Sequence, residues 1–541
     1  MKAFSKSILA LSVLAAYSVC ATAQNMYDAI NISRNDYFGT ARTVALGNAV
    51  TALGGDLGTI SINPAGSAVY SYSQVTVTPG IAVSSIRSSY DAGNSWVSDN
   101  TSSRTKVTMP NAGVSVVFNT GRSSGLKSFT VAFVSNQTAQ YLSYANVYGV
   151  NSATSKLAEM AAAAYGIDEG ALGNFQSYDG NGIAWDILTG YQAGMFGSYG
   201  TNGQYVAVTE ALNGNNHYVP GKLAQTSITQ KGGSNKDVVL NMGFNVSDKF
   251  YFGFNLGLPK ARYEYNEIFY ESAMDPSQFL LTFNKADGKA YDTYFKSAST
   301  NYKYVSDTEG VYAKFGFIYK PLSTLRLGAA IQTPASYTIT ENWQYAASTI
   351  FDDNYFNGSQ TSPTGKYSYR LRTPYVISFG AATTFSKLGL LSIDYELMDY
   401  SIMQFSEIHN DYLARDPFFD LNETNRNFAG VSRNIRIGLE ARLTSEFSMR
   451  LGMSNLTSPE RYWTNDRGES VYADDFLADF DSYTSNSKRL VSSHYTEDNT
   501  FSGSIGFGYA SSSSFFADVA VKYTSYPKTR FYPYYDYPNW N

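Results

Sequence analysis

From residue 74 onward, apolar and polar side chains alternate along the chain with a period of two. Ile435, Ile437 and Leu439, for example, alternate with Arg436 and Glu440, and the same alternation recurs in segment after segment. Successive side chains of a β-strand point to opposite faces, so this period is typical of strands with one apolar and one polar face. The pattern therefore predicts an all-β fold.

We predict thirteen strands and a fourteenth in the tail 530–541, where Pro533 and Pro538 disfavour regular pairing. The thirteen lie at about 74–87, 105–119, 126–145, 222–246, 249–272, 294–320, 323–345, 366–385, 388–407, 431–444, 447–465, 499–511 and 514–526. Short turns alternate with long connections, as in outer-membrane proteins. The pattern predicts a 14-stranded antiparallel transmembrane β-barrel with apolar side chains outside and polar ones inside. A large soluble β-sandwich or propeller is the alternative.

The composition agrees with a barrel of this kind. Aromatic residues make up 15% of the chain and charged residues only 16%, against roughly 25% in soluble globular proteins. Beyond the first 20 or so residues, no apolar run approaches the length of a transmembrane helix. The net charge of −5 argues against nucleic acid as a partner, because nucleic-acid binding needs a basic surface.

Residues 1–23 are typical of a cleaved signal peptide. Lys2 and Lys6 precede a short apolar stretch, and Ala21-Thr22-Ala23 matches a cleavage site. The only cysteine, Cys20, lies in this segment. We therefore expect an exported mature chain without disulfides, thiolate chemistry or cysteine metal ligands.

Residues 24–73 form a separate small unit. Apolar residues from Thr40 to Leu53 follow helical spacing, and Gly54-Gly55 would end that helix. Pro64 forces Asn63 out of helical geometry, so Asn63-Pro64-Ala65 is expected to be a turn or the start of a short helix. A unit of this size does not fold alone, and we expect it to pack on or inside the barrel.

The connection 146–221 is the longest. Within it, 156–165 and 183–195 are predicted helices. Apolar helices in an outer loop suggest that the loop caps the barrel or holds a hydrophobic ligand.

Together these features resemble the FadL/OmpP1/TodX family of outer-membrane channels. The resemblance is carried by Gly39-Thr40-Ala41-Arg42, the alanine-rich helix, Asp56 and Asn63-Pro64-Ala65. It implies passive uptake of long-chain fatty acids or other hydrophobic small molecules, and a hatch containing Asn63, Pro64 and Ala65 that plugs the barrel. The ligand would be captured in an outer groove and would leave sideways through a kink in the third strand.

The third strand offers Ser135, Asn136 and Gln137 as the site of such a kink, because they interrupt an apolar run. Ordinary polarity of a face that lines the lumen is an equal alternative. Inward-facing charges are predicted on later strands: Arg326, Arg436, Arg442, Arg450, Glu396 and Glu440. They form ion pairs along the wall, or one or two of the arginines hold a ligand carboxylate or the hatch. Inward glycines would allow strand curvature or leave room for the hatch.

The expected location is the outer membrane of a gram-negative bacterium. The expected partners are a hydrophobic ligand, outer-membrane lipid and the general barrel-assembly machinery, and the expected state is a monomer. We expect neither an enzyme nor a cofactor or metal: His217, His409 and His494 fall in predicted loops without metal-type spacing. A structural or adhesive surface barrel and a general diffusion porin are the alternative functions. Scattered His and Tyr neither support nor exclude haem as a ligand.

Overall fold

The computed structural model describes residues 26–90, 98–179, 182–200, 203–214, 216–284, 289–353, 357–385, 388–408, 416–461, 463–464, 470–471, 494–496, 499–511, 514–531 and 533–534. The predicted signal peptide, 1–23, lies outside this part of the chain. Strands dominate the described residues, as the alternation predicts.

The strands fall into long wall strands and short loop strands. In chain order they are β1 (Gln74–Tyr90), β2 (Ser98–Asn119), β3 (Leu126–Gln140), β4 (Ser143–Asn151), β5 (Phe196–Ser198), β6 (Tyr205–Ala207), β7 (Ala211–Asn213), β8 (Asn216–Tyr218), β9 (Leu223–Val246), β10 (Phe250–Ala273), β11 (Leu280–Asn284), β12 (Ala290–Tyr319), β13 (Leu325–Gln332), β14 (Ser336–Phe351), β15 (Gly358–Thr361), β16 (Gly365–Arg372), β17 (Val376–Phe385), β18 (Gly389–Asp399), β19 (Gln404–Glu407), β20 (Val431–Arg442), β21 (Phe447–Leu456), β22 (Trp463–Thr464), β23 (Ser470–Val471), β24 (His494–Thr496), β25 (Thr500–Ala510), β26 (Phe516–Ser525) and β27 (Thr529–Phe531).

The helices are short and lie in the amino-terminal segment and the loops. They are α1 (Met26–Ser33), α2 (Ala41–Ala45), α3 (Lys156–Ala163), α4 (Glu169–Gly173), α5 (Trp185–Gln192) and α6 (Phe419–Phe428), with 3-10 helices at Leu57–Thr59, Pro64–Val69, Phe175–Asp179, Pro276–Gln278 and Tyr400–Ile402. Within the described ranges, no helix is long and apolar enough to cross a membrane.

Antiparallel ladders join the wall strands in one sheet. The sheet begins β1–β2–β3–β9–β10–β12. Each of the next three positions is shared by two shorter strands: β13 with β14, then β17 with β16, then β18 with β19. The sheet ends β20–β21–β25–β26. This order gives the thirteen predicted strand positions. No ladder joins β26 to β1 among the described residues, so closure of the barrel and a fourteenth strand stay predictions. The tail contributes β27, which pairs with β24; residues 532 and 535–541 lie outside the described part.

The predicted helix over 40–53 is wrong in length. Only Ala41–Ala45 is α-helical, because Gly47 and Asn48 both have φ near +61° and turn the chain out of the helix. The apolar spacing that suggested a longer helix belongs instead to a series of tight turns whose side chains are buried. Turns and helices can place every third or fourth residue on one side, so spacing alone did not separate them.

Two predicted single strands are split at prolines. The predicted strand 323–345 is broken into β13 and β14 around Pro334, and 366–385 into β16 and β17 around Pro374. Proline has no N–H to donate to a ladder, which explains both breaks. The first two strands, by contrast, are longer than predicted. The β1–β2 ladder extends to Tyr90 and Ser98, so most of residues 88–104, which the sequence places in a long connection, belong to strands.

The outward face of the sheet is apolar and its inward face is polar, which is the reverse of a soluble β-sandwich. Large apolar side chains such as Phe133, Leu240 and Phe252 face outward and are exposed, whereas polar side chains such as Asn241 and Asn255 face inward and are buried. Water would penalise this outer surface. An apolar exterior around a polar interior is the arrangement of barrels that span a lipid bilayer.

The amino-terminal segment 26–70 packs on the inward face of the sheet, and inward glycines let it approach. A Cβ atom added to Gly253 would lie 2.1 Å from the backbone carbon of Pro64, and one added to Gly316 would lie 2.0 Å from Asn63 Oδ1. Gly243, Gly328, Gly438, Gly452 and Gly506 meet other atoms of the segment between 2.0 and 2.6 Å. Seven of the inward glycines noted in the sequence therefore make room for this segment.

Replacing Gly316 by Val should unseat the segment, because the new side chain would overlap Asn63. The expected result is a higher single-channel conductance in planar bilayers and faster proteolysis of the amino terminus. Gly503→Val is the matched control, because a Cβ at Gly503 meets nothing within 4 Å. Equal conductance of both variants would show that the contact at Gly316 does not hold the segment.

Candidate functional site

The turn at Asn63 is built into the wall of the sheet. Its Oδ1 accepts a hydrogen bond from the backbone N–H of Ala65 at 3.0 Å and so caps the 3-10 helix that starts at Pro64. Its Nδ2 donates to the carbonyl of Thr51 at 2.6 Å and to that of Phe317 on β12 at 3.2 Å. Asn63 thus joins two stretches of the amino-terminal segment to a wall strand.

Wall side chains satisfy the backbone carbonyls of this segment. Four hydrogen bonds run from a side-chain nitrogen of the wall to a carbonyl of the segment: from Asn241 to Pro64 at 3.0 Å, from Asn255 to Ile60 at 2.8 Å, from Lys314 to Ser61 at 2.6 Å and from Arg326 to Leu53 at 2.6 Å. In the reverse sense, Asp394 Oδ2 accepts from the N–H of Thr51 at 2.7 Å. A chain without long helices or strands has many unpaired backbone groups, and here the wall pairs them.

Two of the predicted lumen charges, Glu396 and Arg436, form a buried ion pair. Their Oε1 and Nη2 atoms are 2.5 Å apart, and both side chains are almost fully buried. Tyr37 of the amino-terminal segment donates its hydroxyl to Glu396 Oε2 at 3.2 Å, and the Arg436 guanidinium lies 5.1 Å from the centre of the Tyr37 ring. The pair therefore contacts the segment as well as joining β18 to β20.

A second cluster repeats this arrangement lower in the sheet. Arg450 Nε lies 2.7 Å from Glu440, and its Nη1 contacts Asp518 of β26. Arg42 of α2 lies 3.5 Å from the same Glu440. The sixth predicted charge, Arg442, has the same parity on β20 as Glu440 but is exposed at the end of the strand, and no ion pair of it is found among the described residues.

Sequence reasoning missed several residues that hold the segment. Asn241, Asn255, Lys314 and Asp518 were not chosen, although each has the inward parity of its strand. Asn241 and Asn255 even alternate with the noted glycines. Their positions on the inward face could be read from the alternation. The alternation does not show, however, which inward side chains contact the segment.

The predicted kink residues lie where the third strand leaves its neighbour. The β2–β3 ladder ends at the pair Asn111 and Asn136, and the β3–β9 ladder shifts register between Gln137 and Ala139. Asn136 is the last residue that follows the alternation, because Gln137, Thr138 and Ala139 are buried as well. Asn136 accepts from Asn111 at 2.6 Å and donates to Ser61 Oγ at 2.8 Å, which ties this point to the amino-terminal segment.

The amino-terminal segment occupies the edge of β3 beyond this point. The N–H of Asp36 donates to the carbonyl of Thr138, and that of Phe38 to the carbonyl of Gln137, both at 2.7 Å. Phe38 and Gln137 form an isolated antiparallel bridge. Two residues of the segment thus take the place that β2 has vacated.

A window in the wall results. Residues 101–108 of β2 pair with β1 on one side, and no ladder to β3 or β4 is described on the other. Above the window, Asn100 Nδ2 donates to the carbonyl of Asn146 on β4 at 2.8 Å, and below it stands the Asn111–Asn136 bond. Within the window, Arg104 Nη1 donates to the carbonyl of Lys231 on β9 at 3.1 Å, and this is a side-chain contact across the gap rather than a ladder.

A small cleft lies between the amino-terminal segment and the wall, beside Thr138 of β3. It is lined on one side by Ser33, Asn35 and Tyr37 of the segment. Its far wall is formed by Asp237, Pro259, Tyr312, Gln332, Tyr337 and Pro374, among others. Helix α1 lies next to it, with Met26, Ala29 and Ile32 in an apolar cluster that includes Tyr337, Met398 and Phe405.

The connection 151–222 forms an apolar cap over the outer end of the wall. Leu157, Met160, Ile187 and Leu188 of α3 and α5 share a buried cluster with wall residues such as Phe295. The predicted helices are confirmed as Lys156–Ala163 and Trp185–Gln192. At the start of α3, Glu271 of β10 accepts from Ser155 Oγ at 2.9 Å and from the N–H of Lys156 at 3.2 Å. Burial raises the pKa of Glu271 to about 7 despite these bonds.

Across the described residues, no group of three His, Cys, Asp or Glu side chains has the arrangement of a metal site.

Comparison with known proteins gives distant structural matches. No protein-family model and no curated protein sequence matches the chain. Among solved structures, it is similar to the CymD monoaromatic hydrocarbon channel (10% identity, 92% of this chain and 94% of that chain, TM-score 0.43), a Pseudomonas aeruginosa FadL homologue (12%, 90% and 89%, 0.42) and the P. putida toluene transporter TodX (10%, 91% and 92%, 0.43). FadL and TodX are names in the family that the amino-terminal motif resembles.

Removing one partner of the Glu396–Arg436 pair should destabilise the protein strongly. Arg436→Met leaves Glu396 buried without its cation, which costs on the order of 3–5 kcal/mol in other proteins. We expect a clear fall in the unfolding temperature, measured by the heat-dependent shift in electrophoretic mobility. The double variant Glu396→Gln/Arg436→Met should recover part of the loss, and failure to recover any would show that the pairing is not the cause.

The cap should loosen as the pH rises. The pKa of Glu271 is higher in the folded chain than its usual value near 4.5, so the folded state binds more protons and loses stability between about pH 4.5 and 7. The shift corresponds to on the order of 3 kcal/mol. We expect proteolysis within 151–222 to accelerate from pH 5 to pH 8, and Glu271→Gln to abolish this dependence. A pH dependence unchanged by the substitution would contradict the assignment to Glu271.

Proposed function

We propose that this chain is an outer-membrane channel for passive uptake of a hydrophobic small molecule, which enters under the loop cap and leaves sideways through the window beside β3. The amino-terminal segment 26–70 is its plug. The observation that carries the proposal is the window. At this point β3 no longer pairs with β2, and residues 36–38 of the plug pair with the open edge of β3 from inside.

The surroundings of the window suit an apolar solute. The exterior of the sheet is apolar and would lie in lipid. A hydrophobic molecule that leaves through the wall reaches the hydrocarbon directly and never crosses the aqueous lumen below the plug. Lateral exit is therefore the favourable route for such a solute, whereas a sugar or an ion would gain nothing from it.

The contacts divide the plug into a fixed part and a part that opens. Residues 40–69 lie on the inward glycines and receive hydrogen bonds from many wall side chains. Residues 34–38 hold the edge of β3 through two backbone hydrogen bonds, and Tyr37 also donates to Glu396 of the wall, so opening has to release that bond as well. We propose that residues 34–38 leave this edge when ligand arrives, as a shift between closed and open populations, and that 40–69 stay in place.

The driving force is the concentration gradient of the solute. The geometry also disfavours a general diffusion porin, because the plug is seated on the inward face of most wall strands among the described residues. Nothing in the described loops favours adhesion over transport.

Locking residues 34–38 to β3 should stop uptake. The variant Phe38→Cys/Gln137→Cys places two thiols on a bridged pair, where a disulfide has suitable geometry. We expect oxidised cells to lose at least about nine-tenths of their uptake of a fluorescent long-chain fatty acid and of naphthalene, relative to the reduced state, because a covalent link prevents opening.

The control is Leu439→Cys/Leu451→Cys, a directly paired position in the β20–β21 ladder on the outward face, away from the window. This disulfide should leave uptake unchanged. Full uptake by the oxidised Phe38–Gln137 variant would exclude exit through this window.

A further inference from the structure

The outward face of β16 carries two neighbouring arginines at the upper edge of the apolar exterior. Arg370 and Arg372 are exposed, and they alternate with Tyr369 and Leu371, which are buried in the same apolar cluster as helix α1. The two arginines therefore project from the outer surface of the wall. Residues two apart on a strand are separated by roughly 7 Å, so both guanidinium groups can reach one ligand.

The strands on both sides of β16 add uncharged polar groups. Each arginine lies between two of them: Arg370 between Thr338 of β14 and Ser406 of β19, and Arg372 between Ser336 of β14 and Gln404 of β19. Hydroxyl and amide groups can donate hydrogen bonds to an anion. No direct cross-strand neighbour of either arginine is a carboxylate. We call these six residues the arginine patch.

The carboxylates of the adjoining strands are engaged elsewhere. Ladder register places Glu309 of β12 in line with Arg370, one strand further on, but Glu309 lies 2.8 Å from Lys260. Glu341 and Glu407 lie on the inward face, where each accepts a tyrosine hydroxyl. Within the described ranges, neither arginine of the patch forms a salt bridge. The patch therefore carries two positive charges that the protein itself does not neutralise.

The outer surface of β10 and β12 at the same height shows the opposite arrangement. Its basic residues form ion pairs: Lys260 with Glu309 at 2.8 Å, Arg262 with Asp307 at 2.9 Å and Arg262 with Glu264 at 2.8 Å. Charges on one part of this rim are thus balanced within the chain. At the arginine patch, an external anion has to balance them.

An apolar surface begins directly beside and below the patch. Val311 of β12 lies opposite Ser336 and is exposed. Lower on the same outer surface, Phe315 of β12 lies opposite Ile331 of β13, and both are exposed. Phe379 of β17 continues this surface downward. The anion that meets the arginines can therefore carry apolar chains that lie on the wall.

The height of the patch matches the edge of a bilayer. From Phe385, at the end of β17, to Arg372 the chain rises roughly 30 Å, at about 3.3 Å per residue and a strand tilt of about 40°. The apolar band of such barrels is about 25 Å tall. In the proposed channel, the short connection after β17 faces the periplasm, so the arginine patch lies at the headgroups of the outer leaflet.

We propose that the arginine patch binds the phosphate groups of a phosphorylated glycolipid of the outer leaflet, whose acyl chains lie on the apolar surface below. Guanidinium groups bind phosphate through paired hydrogen bonds, and basic clusters at a membrane surface bind anionic headgroups. A free phosphate ion would use the arginines only, whereas a lipid uses the apolar surface as well. This inference rests on the proposed function, because the patch faces the outer leaflet only in an outer-membrane protein, and it adds a lipid partner distinct from the transported solute.

The test measures binding of lipid A to the full chain, delipidated in detergent micelles, by native mass spectrometry. We expect Arg370→Gln/Arg372→Gln to weaken binding at least about tenfold, because charge-assisted hydrogen bonds to phosphate are lost. Arg370→Lys/Arg372→Lys should keep part of the affinity, since the charges remain without the paired geometry. Lipid A stripped of its phosphates should bind the unaltered chain about as weakly as lipid A binds the glutamine variant.

The matched control is Lys249→Gln/Lys320→Gln, which removes the same charge at the opposite, short-turn end of the wall. It should leave the affinity for lipid A unchanged. An equal loss in both variants would assign the binding to general surface charge and overturn the inference.

Three other results would also overturn it: unchanged binding by the arginine-to-glutamine variant, no binding of lipid A to the unaltered chain, or displacement of lipid A by an equal concentration of inorganic phosphate. The last result would identify a site for free anions instead of lipid. The disulfide experiment at the window decides separately whether the channel proposal survives, so the two failures are distinguishable.

Discussion

The structure depends on one constraint: the backbone of the plug must be hydrogen-bonded inside a wall that has little room. The plug has only short helices, so many of its carbonyls find no partner within it. Inward glycines bring its backbone against the wall, and Asn241, Asn255, Lys314 and Arg326 reach those carbonyls. Close approach and hydrogen bonding therefore require each other, and both are built from the inward face of the strands.

The same constraint explains where the proposed gate lies. Where the wall has an unbroken ladder, its own N–H and C=O groups are already paired, and the plug is met mainly by side chains. At the end of the β2–β3 ladder, the carbonyls of Gln137 and Thr138 are left over, and residues 36 and 38 of the plug pair with them. The open edge of β3 and residues 36–38 of the plug thus stabilise each other, and movement of one exposes the other.

Charge is used differently at different heights of the lumen. At the level of the plug, carboxylates and guanidinium groups are paired and also touch plug residues, as in the Glu396–Arg436 pair with Tyr37. Above the plug, Glu267 and Glu407 accept hydrogen bonds from the hydroxyls of Tyr265 and Tyr367 instead. The lower charges therefore hold the plug to the wall, whereas these upper carboxylates are bonded to tyrosines of the wall itself.

The sequence by itself determined the all-β class, nearly every wall strand, both cap helices and the inward parity of the six predicted charges, because a period of two is a local property of each strand. It also pointed to Ser135, Asn136 and Gln137, since polarity interrupts an apolar run there. Only the tertiary structure decided which inward residues meet the plug, that Gly47 and Asn48 end α2 early, and that the edge of β3 is covered by residues 36 and 38. Those contacts join residues about 100 to 490 positions apart, and no local pattern records which distant strand a side chain faces.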